Sequence, residues 1–471
     1  MPYLESGNNG MMRSRIQPAT SGEGVLSYAT RRNKSLLGMG SWLFVVISVS
    51  LLLPLTIRNT QQFTLLYVFL SLFYTLMALL TTRMFPKQAF PAIMLLIIQV
   101  WMTIVFFIVQ PQTITEQSLG RHLYWPILLC LPYFVLSSIC LIDPSYRERA
   151  LKVLFWVCLI SAVVGVGQFL RIPGFTVIQS FYSPKTFAQD FFGNTPNEYR
   201  AVGLTLHPYI LASQCLFCMA LIGSNLLERK LKTSEIFLLA LFAAALFMAQ
   251  SRSFYLGGAL LMLAIMYLLF KRDKPLFVYV LSFFIVASFL LVGVFSSRLE
   301  YGIRGPNIVQ SGRVSRWEAA TQVVQEFPIT GIGPNMTIFG NRGTTTLSDR
   351  RGLEYPENGY RMIAATAGIP GLALLLTTIV GSLFISARIL LKTYTEGLQR
   401  RMAFVCFFYV IAIAIGLMIS NLVEQEMMTF LGMCAAAVAY PPTVSHFKGV
   451  RQGLKLGYGF RNSATTQPTE A

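Results

Sequence analysis

The side chains in this chain that could do chemistry are few, and they stand against long apolar stretches. In 357-ENGYRMIAATAGIP-370, Glu357 and Asn358 sit at the mouth of an apolar segment, after a mostly polar stretch rich in Arg and Gly. A carboxylate there can take a proton from an attacking hydroxyl. It can equally favour the positive end of the helix that follows, or pair with Arg361 four residues on. Asn358 can orient a hydroxyl-bearing molecule or cap the helix. The preceding stretch, 296–360, holds Arg298, Arg304, Arg313, Arg316, Arg342, Arg350 and Arg351 and no Lys. The planar guanidinium grips phosphate oxygens with two parallel bonds where an ammonium supplies a point charge. The plainer reading is a solvated loop balanced by its own acidic residues. Arg252, in 250-QSRS-253, joins two apolar blocks with almost no loop. An ionised group at a membrane boundary is costly unless it meets a ligand or partner, or snorkels to water.

These residues depend on apolar elements for their placement. Of the 471 residues, 54% are hydrophobic and 12% charged, with mean hydropathy +0.58. A soluble chain carries roughly twice that charged fraction, so this composition predicts an all-α polytopic membrane protein. About twelve apolar blocks are each long enough to cross roughly 30 Å of hydrocarbon. Nine fall within 37–295 and three within 361–441, flanked by polar tails 1–36 and 442–471. The first block follows a polar tail without a small-residue cleavage site and reads as a retained anchor.

Net charge is +18, yet the basic residues fall in every second short connection instead of on one soluble unit. That pattern excludes a nucleic-acid binder and places those connections, with both tails, in the cytoplasm. Two long connections, 171–207 and 296–360, then face outward, the second between spans nine and ten. All seven Cys lie in apolar blocks, including Cys215 and Cys218, and read as buried small hydrophobes. His122, His207 and His446 are far apart, so no metal cluster is expected.

Within the second loop, 311-SGRVSRWEAATQVVQEFP-328 predicts an amphipathic helix with Val314, Trp317, Thr321, Val324 and Phe327 near one face. Ser315 and Glu318 have capping-box spacing, with Ser311 an alternative start, and Pro328 should end the helix. Gly331 and Gly333 then make a tight turn or, less simply, a phosphate cradle.

Taken together these pieces resemble the O-antigen ligase family, which includes related polysaccharide polymerases. The resemblance rests on S-G-R-x-x-x-W-x-x-A and F-P-x-x-G-x-G, met here as Ser311, Gly312, Arg313, Trp317, Ala320, Phe327, Pro328, Gly331 and Gly333. Asn358, Tyr360, Gly368 and Gly371, the Ser251-Arg252 pair and 200-RAVGLTLHP-208 extend it. The family implies a GT-C-like multi-helix fold in the bacterial cytoplasmic membrane, with an outward, periplasmic catalytic loop and no cofactor or metal. It also implies transfer from an undecaprenyl-diphosphate-linked glycan to a lipid A core sugar or another glycan chain. In that scheme Glu357 and Asn358 are catalytic, Arg252, Arg313 and Arg200 hold the donor diphosphate, and Trp317, Gly331, Gly333 and His207 are structural or acceptor-side. Two positions depart from the family: Glu357 stands where its His is usual, and Tyr209 follows His207-Pro208 where Asn is common. The competing reading is a multi-span transporter or flippase for a lipid-linked or anionic substrate, whose usual mark is two similar halves with discontinuous helices.

Overall fold

The computed structural model describes residues 37–46, 48–49, 69–70, 73–74, 76–77, 90–109, 135–136, 139–140, 146–182, 200–205, 208–282, 313–333, 358–392 and 397–418. The named helices are α1 (Phe90–Val109), α2 (Tyr146–Phe169), α3 (Pro173–Tyr182), α4 (Pro208–Ser224), α5 (Thr233–Met248), α6 (Arg252–Arg272), α7 (Arg313–Glu326), α8 (Gly359–Leu391) and α9 (Gly397–Leu417). Among the described residues there is no strand, and five helices are long and apolar enough to cross a membrane. They are α2, α4 with its 3-10 extension to Leu227, α6, α8 and α9. Each matches an apolar block of the sequence. Of the remaining blocks one forms α5, an apolar helix below that length, and the others lie partly or wholly outside the described residues, as do the tails and most of 296–360.

Helix α4 is the centre of the bundle. Pro208 opens it at a first-turn position, where a missing N–H costs nothing. Its side chains are buried nearly all round, which suits a helix enclosed by α2, α5, α6 and α9. Phe217 meets Tyr409 of α9 edge to face at 6.1 Å, and Phe242 of α5 meets Phe155 of α2 at 5.6 Å. Cys140, Cys158, Cys215, Cys218 and Cys406 are free and buried, as small hydrophobes are; Cys130 and Cys434 lie outside the described residues.

The two ends of the bundle differ in chemistry. At one end Arg229 pairs with Glu235, Lys230 lies 3.0 Å from Asp273 and Arg401 3.7 Å from Glu228. The Lys230 hydrogen bond holds the Asp273 carboxyl below its ordinary range. The other end gathers the starts of α4, α6 and α8 and the finishes of α5 and α9.

Two sequence expectations change here. The 171–207 connection is not a plain loop: it contains α3, opened by Pro173 and folded back so that the Phe175 ring lies against Gly167 of α2. Helix α8 is not one straight span. Its 33 residues would reach about 50 Å if straight, well beyond the hydrocarbon thickness. Gly368 interrupts it with φ 70 and ψ −175, and Pro370 follows. Beyond the break, 369–391 alone suffices to cross. Before it, Met362 to Gly368 are buried in protein without interruption, enclosed by α1, α7 and α9.

Candidate functional site

At the end opposite the ion pairs, α5 turns into α6 within three residues, and Gln250 takes the left-handed conformation with φ 51. That conformation costs a non-glycine residue roughly 1–2 kcal/mol, so the surroundings must hold it. They do so through the last carbonyls of α5, which have no partner within their own helix. Gln250 N–H donates to Phe247 O at 3.1 Å, and Tyr255 of α6 donates its hydroxyl to the same oxygen at 2.5 Å. Ala201 N–H donates to Met248 O at 3.0 Å. This last bond ties 200–205 to the α5–α6 joint, one residue after Arg200 and four before Arg252.

The 200–205 segment is fixed from below by α2. Gln168, fully buried, accepts from Gly203 N–H at 2.8 Å and Val202 N–H at 3.2 Å and donates to Gly203 O at 2.9 Å. Ser161 Oγ accepts from Leu204 N–H at 3.2 Å. A loop at bundle depth needs such partners for its peptide groups. Gln168 was missed in the sequence; its one signal is a lone amide in an apolar run.

The start of α8 is built differently. Asn358 is its N-cap: Oδ1 accepts from Arg361 N–H at 3.0 Å, while Nδ2 donates to Met418 O at the finish of α9, 2.9 Å away. Both ends of the amide are thus engaged, and of the two roles open to Asn358 the structure displays the cap. Tyr360 hydroxyl donates to Ala414 O at 2.8 Å, a second tie to α9. Arg361 lies over the Trp317 ring of α7, 5.2 Å from its centroid, a contact worth about 0.5–1 kcal/mol at a partly exposed site.

Helix α7 is already helical at Arg313, which puts Ser315 inside it and not at its N-cap, and ends at Glu326 just before Phe327-Pro328. Its buried seam is offset from the expected one. Ala319, Ala320 and Val323 are buried with Ile332 and Ala365, with Val324 packed alongside, whereas Thr321 is exposed and Phe327 is 37% exposed. Two alanines let the α7 backbone approach α8 where larger side chains would hold it off.

The Gly331 turn then enters the break in α8. Pro370 has no N–H to give Thr366 O, its partner in an unbroken helix; Gly333 N–H donates to that oxygen instead, at 3.0 Å. Ile369 N–H goes to Pro328 O at 2.7 Å, and Ile332 N–H takes the vacated Ala365 O at 2.9 Å. From α1, Trp101 Nε1 donates to Ala367 O at 2.8 Å. A Cβ on Gly331 would lie 2.5 Å from Ala365 O, and one on Gly368 2.1 Å from Ile329 O. Both glycines also have positive φ. The turn reading of Gly331 and Gly333 therefore stands over the phosphate cradle, since the N–H groups of Gly331, Ile332 and Gly333 are already given to protein carbonyls.

Helix levels relate the two halves of the site. Gly257 of α6 lies against Ala412 of α9, a Cβ at 257 falling 2.7 Å from that of Ala412. Arg252 is five residues nearer the end, about 7.5 Å, and Met418 is six residues from Ala412 along α9, about 9 Å. Arg252 and the Asn358 cap thus stand at one level, around α9. Arg252 and Arg313 are placed by backbone alone, each the first residue of its helix. Glu357, one residue before the cap in sequence, and His207, one before Pro208, lie outside the described residues. Among the described residues no cluster of His, Cys, Asp or Glu is arranged to hold a metal.

No curated protein matches the chain. Residues 237–376, however, match the family model described as O-Antigen ligase, Wzy_C. The match takes in most of α5, all of α6 and α7, the Gly331 turn and the broken half of α8, the elements that border this end of the bundle. That match makes this stretch of the chain similar to an O-antigen ligase domain.

Proposed function

We propose that the protein is a membrane glycosyltransferase that moves a glycan from undecaprenyl diphosphate to an acceptor hydroxyl at the outer, periplasmic face of the cytoplasmic membrane. The acceptor is a lipid A core sugar or another glycan chain. The observation that carries this reading is the common level of Arg252 and the Asn358 cap, on elements inside the family match. The ion-paired end is the cytoplasmic one, the whole chain crosses about twelve times, and 171–207 and 296–360 face outward.

In this reading the acceptor oxygen attacks the anomeric carbon as the bond from that carbon to the diphosphate oxygen breaks. The bonding pair leaves with the diphosphate, and the acceptor proton passes to the Glu357 carboxylate. Arg252 and Arg313, with Arg200 beside Arg252, meet the charge developing on the leaving group. Fixed cations help here because that charge is greater in the transition state than in the bound donor. Glu357 takes the role of the family's His, since carboxylate and imidazole can each accept this proton.

Two substitutions test the assignment in reconstituted protein. Glu357→Gln keeps the shape but removes the base, and transfer should fall about 100-fold or more with donor binding retained. Arg252→Lys keeps the charge but loses the fork and should also impair turnover. Normal turnover by Glu357→Gln returns that residue to a helix-end role, and full activity of Arg252→Ala at normal abundance removes Arg252 from the donor site.

A further inference from the structure

The break in α8 is closed by backbone and side-chain donors from two other parts of the chain, the Pro328–Gly333 turn and Trp101 of α1. Without the turn, the carbonyls of Ala365 and Thr366 and the Ile369 N–H would lose these partners, each in a buried residue or beside one, and without Trp101 the buried Ala367 would lose its bond to α1. Irregular backbone at this depth persists only where protein satisfies it. The piece that depends on this closure is short, Gly359 to Ala367, and it carries the Asn358 cap, the tie to Met418 and the Trp317–Arg361 contact. Glu357 precedes it directly.

We infer that Trp101 is a positioning residue for the transfer reaction. Through its bond to Ala367 O, together with the Gly331 turn, it fixes the half-helix that opens at the Asn358 cap, the residue directly after the proposed base Glu357. This rests on the function proposed above. The reasoning is one of lever and pivot. Ala367 is the last residue of the half-helix and Asn358 the cap of its first turn, about 13 Å away. A small tilt at the pivot displaces the far end by a large fraction of an ångström. Misplacement on the order of 1 Å can cost about 100-fold in rate without touching a reacting atom. Trp101 belongs to none of the motifs that carry the family resemblance and lies outside the matched residues 237–376.

The test uses the full-length protein in proteoliposomes, with radiolabelled lipid-linked glycan extracted from its own cells as donor. Trp101→Phe keeps an aromatic side chain and removes the donor N–H with the pyrrole part of the indole. The expected result is a fall in kcat of about tenfold per folded molecule, with KM for the donor unchanged. Amide hydrogen exchange in the peptide covering 359–371 should quicken. Gly331→Ala, whose Cβ would press on Ala365 O, should move both readouts the same way. Unchanged kcat in Trp101→Phe overturns the inference, whether exchange quickens or not, because Trp101 then supports stability alone. Glu357→Gln run alongside separates the two claims. Retained turnover in that variant sinks the base assignment, whereas an inactive Glu357→Gln beside a fully active Trp101→Phe sinks only the positioning role.

Discussion

Gln168 and Asn358 show how single amides hold this end of the bundle. Gln168 satisfies three peptide groups of the 200–205 segment from inside an apolar helix. Replacing it by Leu leaves those groups buried and unpaired, and should lower stability by about 1–3 kcal/mol. Thermal unfolding in detergent measures the loss, and glycan transfer should weaken with it because Arg200 and the α5–α6 joint share the Ala201 bond. Asn358 offers a sharper comparison. Asn358→Asp keeps an acceptor for Arg361 N–H but cannot donate to Met418 O, while Asn358→Ala loses both contacts. If the tie to α9 dominates, Asp should resemble Ala in stability; if the cap dominates, only Ala should lose the roughly 1 kcal/mol typical of a missing N-cap. The sequence allowed either role for Asn358, and the tie to the finish of α9, sixty residues away, could not be read from it. Gln168 was illegible for the same reason, since its partners lie more than thirty residues on.

At the scale of elements, the apolar blocks announced themselves because a membrane helix must be apolar over its whole length. Their starts and stops agree with α1, α2, α4, α5, α6 and α9 within a few residues. The sequence also signalled α7 and the turn after it, but it misjudged the buried face of α7, because two alanines pack there in place of the larger side chains. The break in α8 was half visible. Pro370 within an apolar run marks a disturbed helix, but nothing local says that a turn nearly forty residues earlier fills the gap. Gly368→Ala tests that fit: the φ of 70 and the 2.1 Å approach to Ile329 O should together destabilise the protein by more than about 2 kcal/mol. An alanine variant with wild-type unfolding temperature and activity would mean that the break is not required.

At the scale of the whole molecule, the basic residues are the strongest topological signal in the sequence, and ion pairs join α4, α5, α6 and α9 at one end of the bundle. The account predicts that a Cys introduced at Thr345 reacts with a membrane-impermeant thiol reagent in intact cells; reaction only after lysis would invert the proposed topology. Composition and charge could not by themselves separate an enzyme from a flippase, since both need many spans and cationic grips for a lipid diphosphate. The central claim is that this protein transfers the glycan instead of moving the carrier across the bilayer. The most direct measurement supplies lipid-linked glycan to the outer leaflet alone in oriented proteoliposomes that also hold the acceptor. Label should pass to the acceptor, with undecaprenyl diphosphate released in equal amount and donor retained in its leaflet. Donor that reaches the opposite leaflet with its glycan still attached, and no labelled acceptor, would contradict the account.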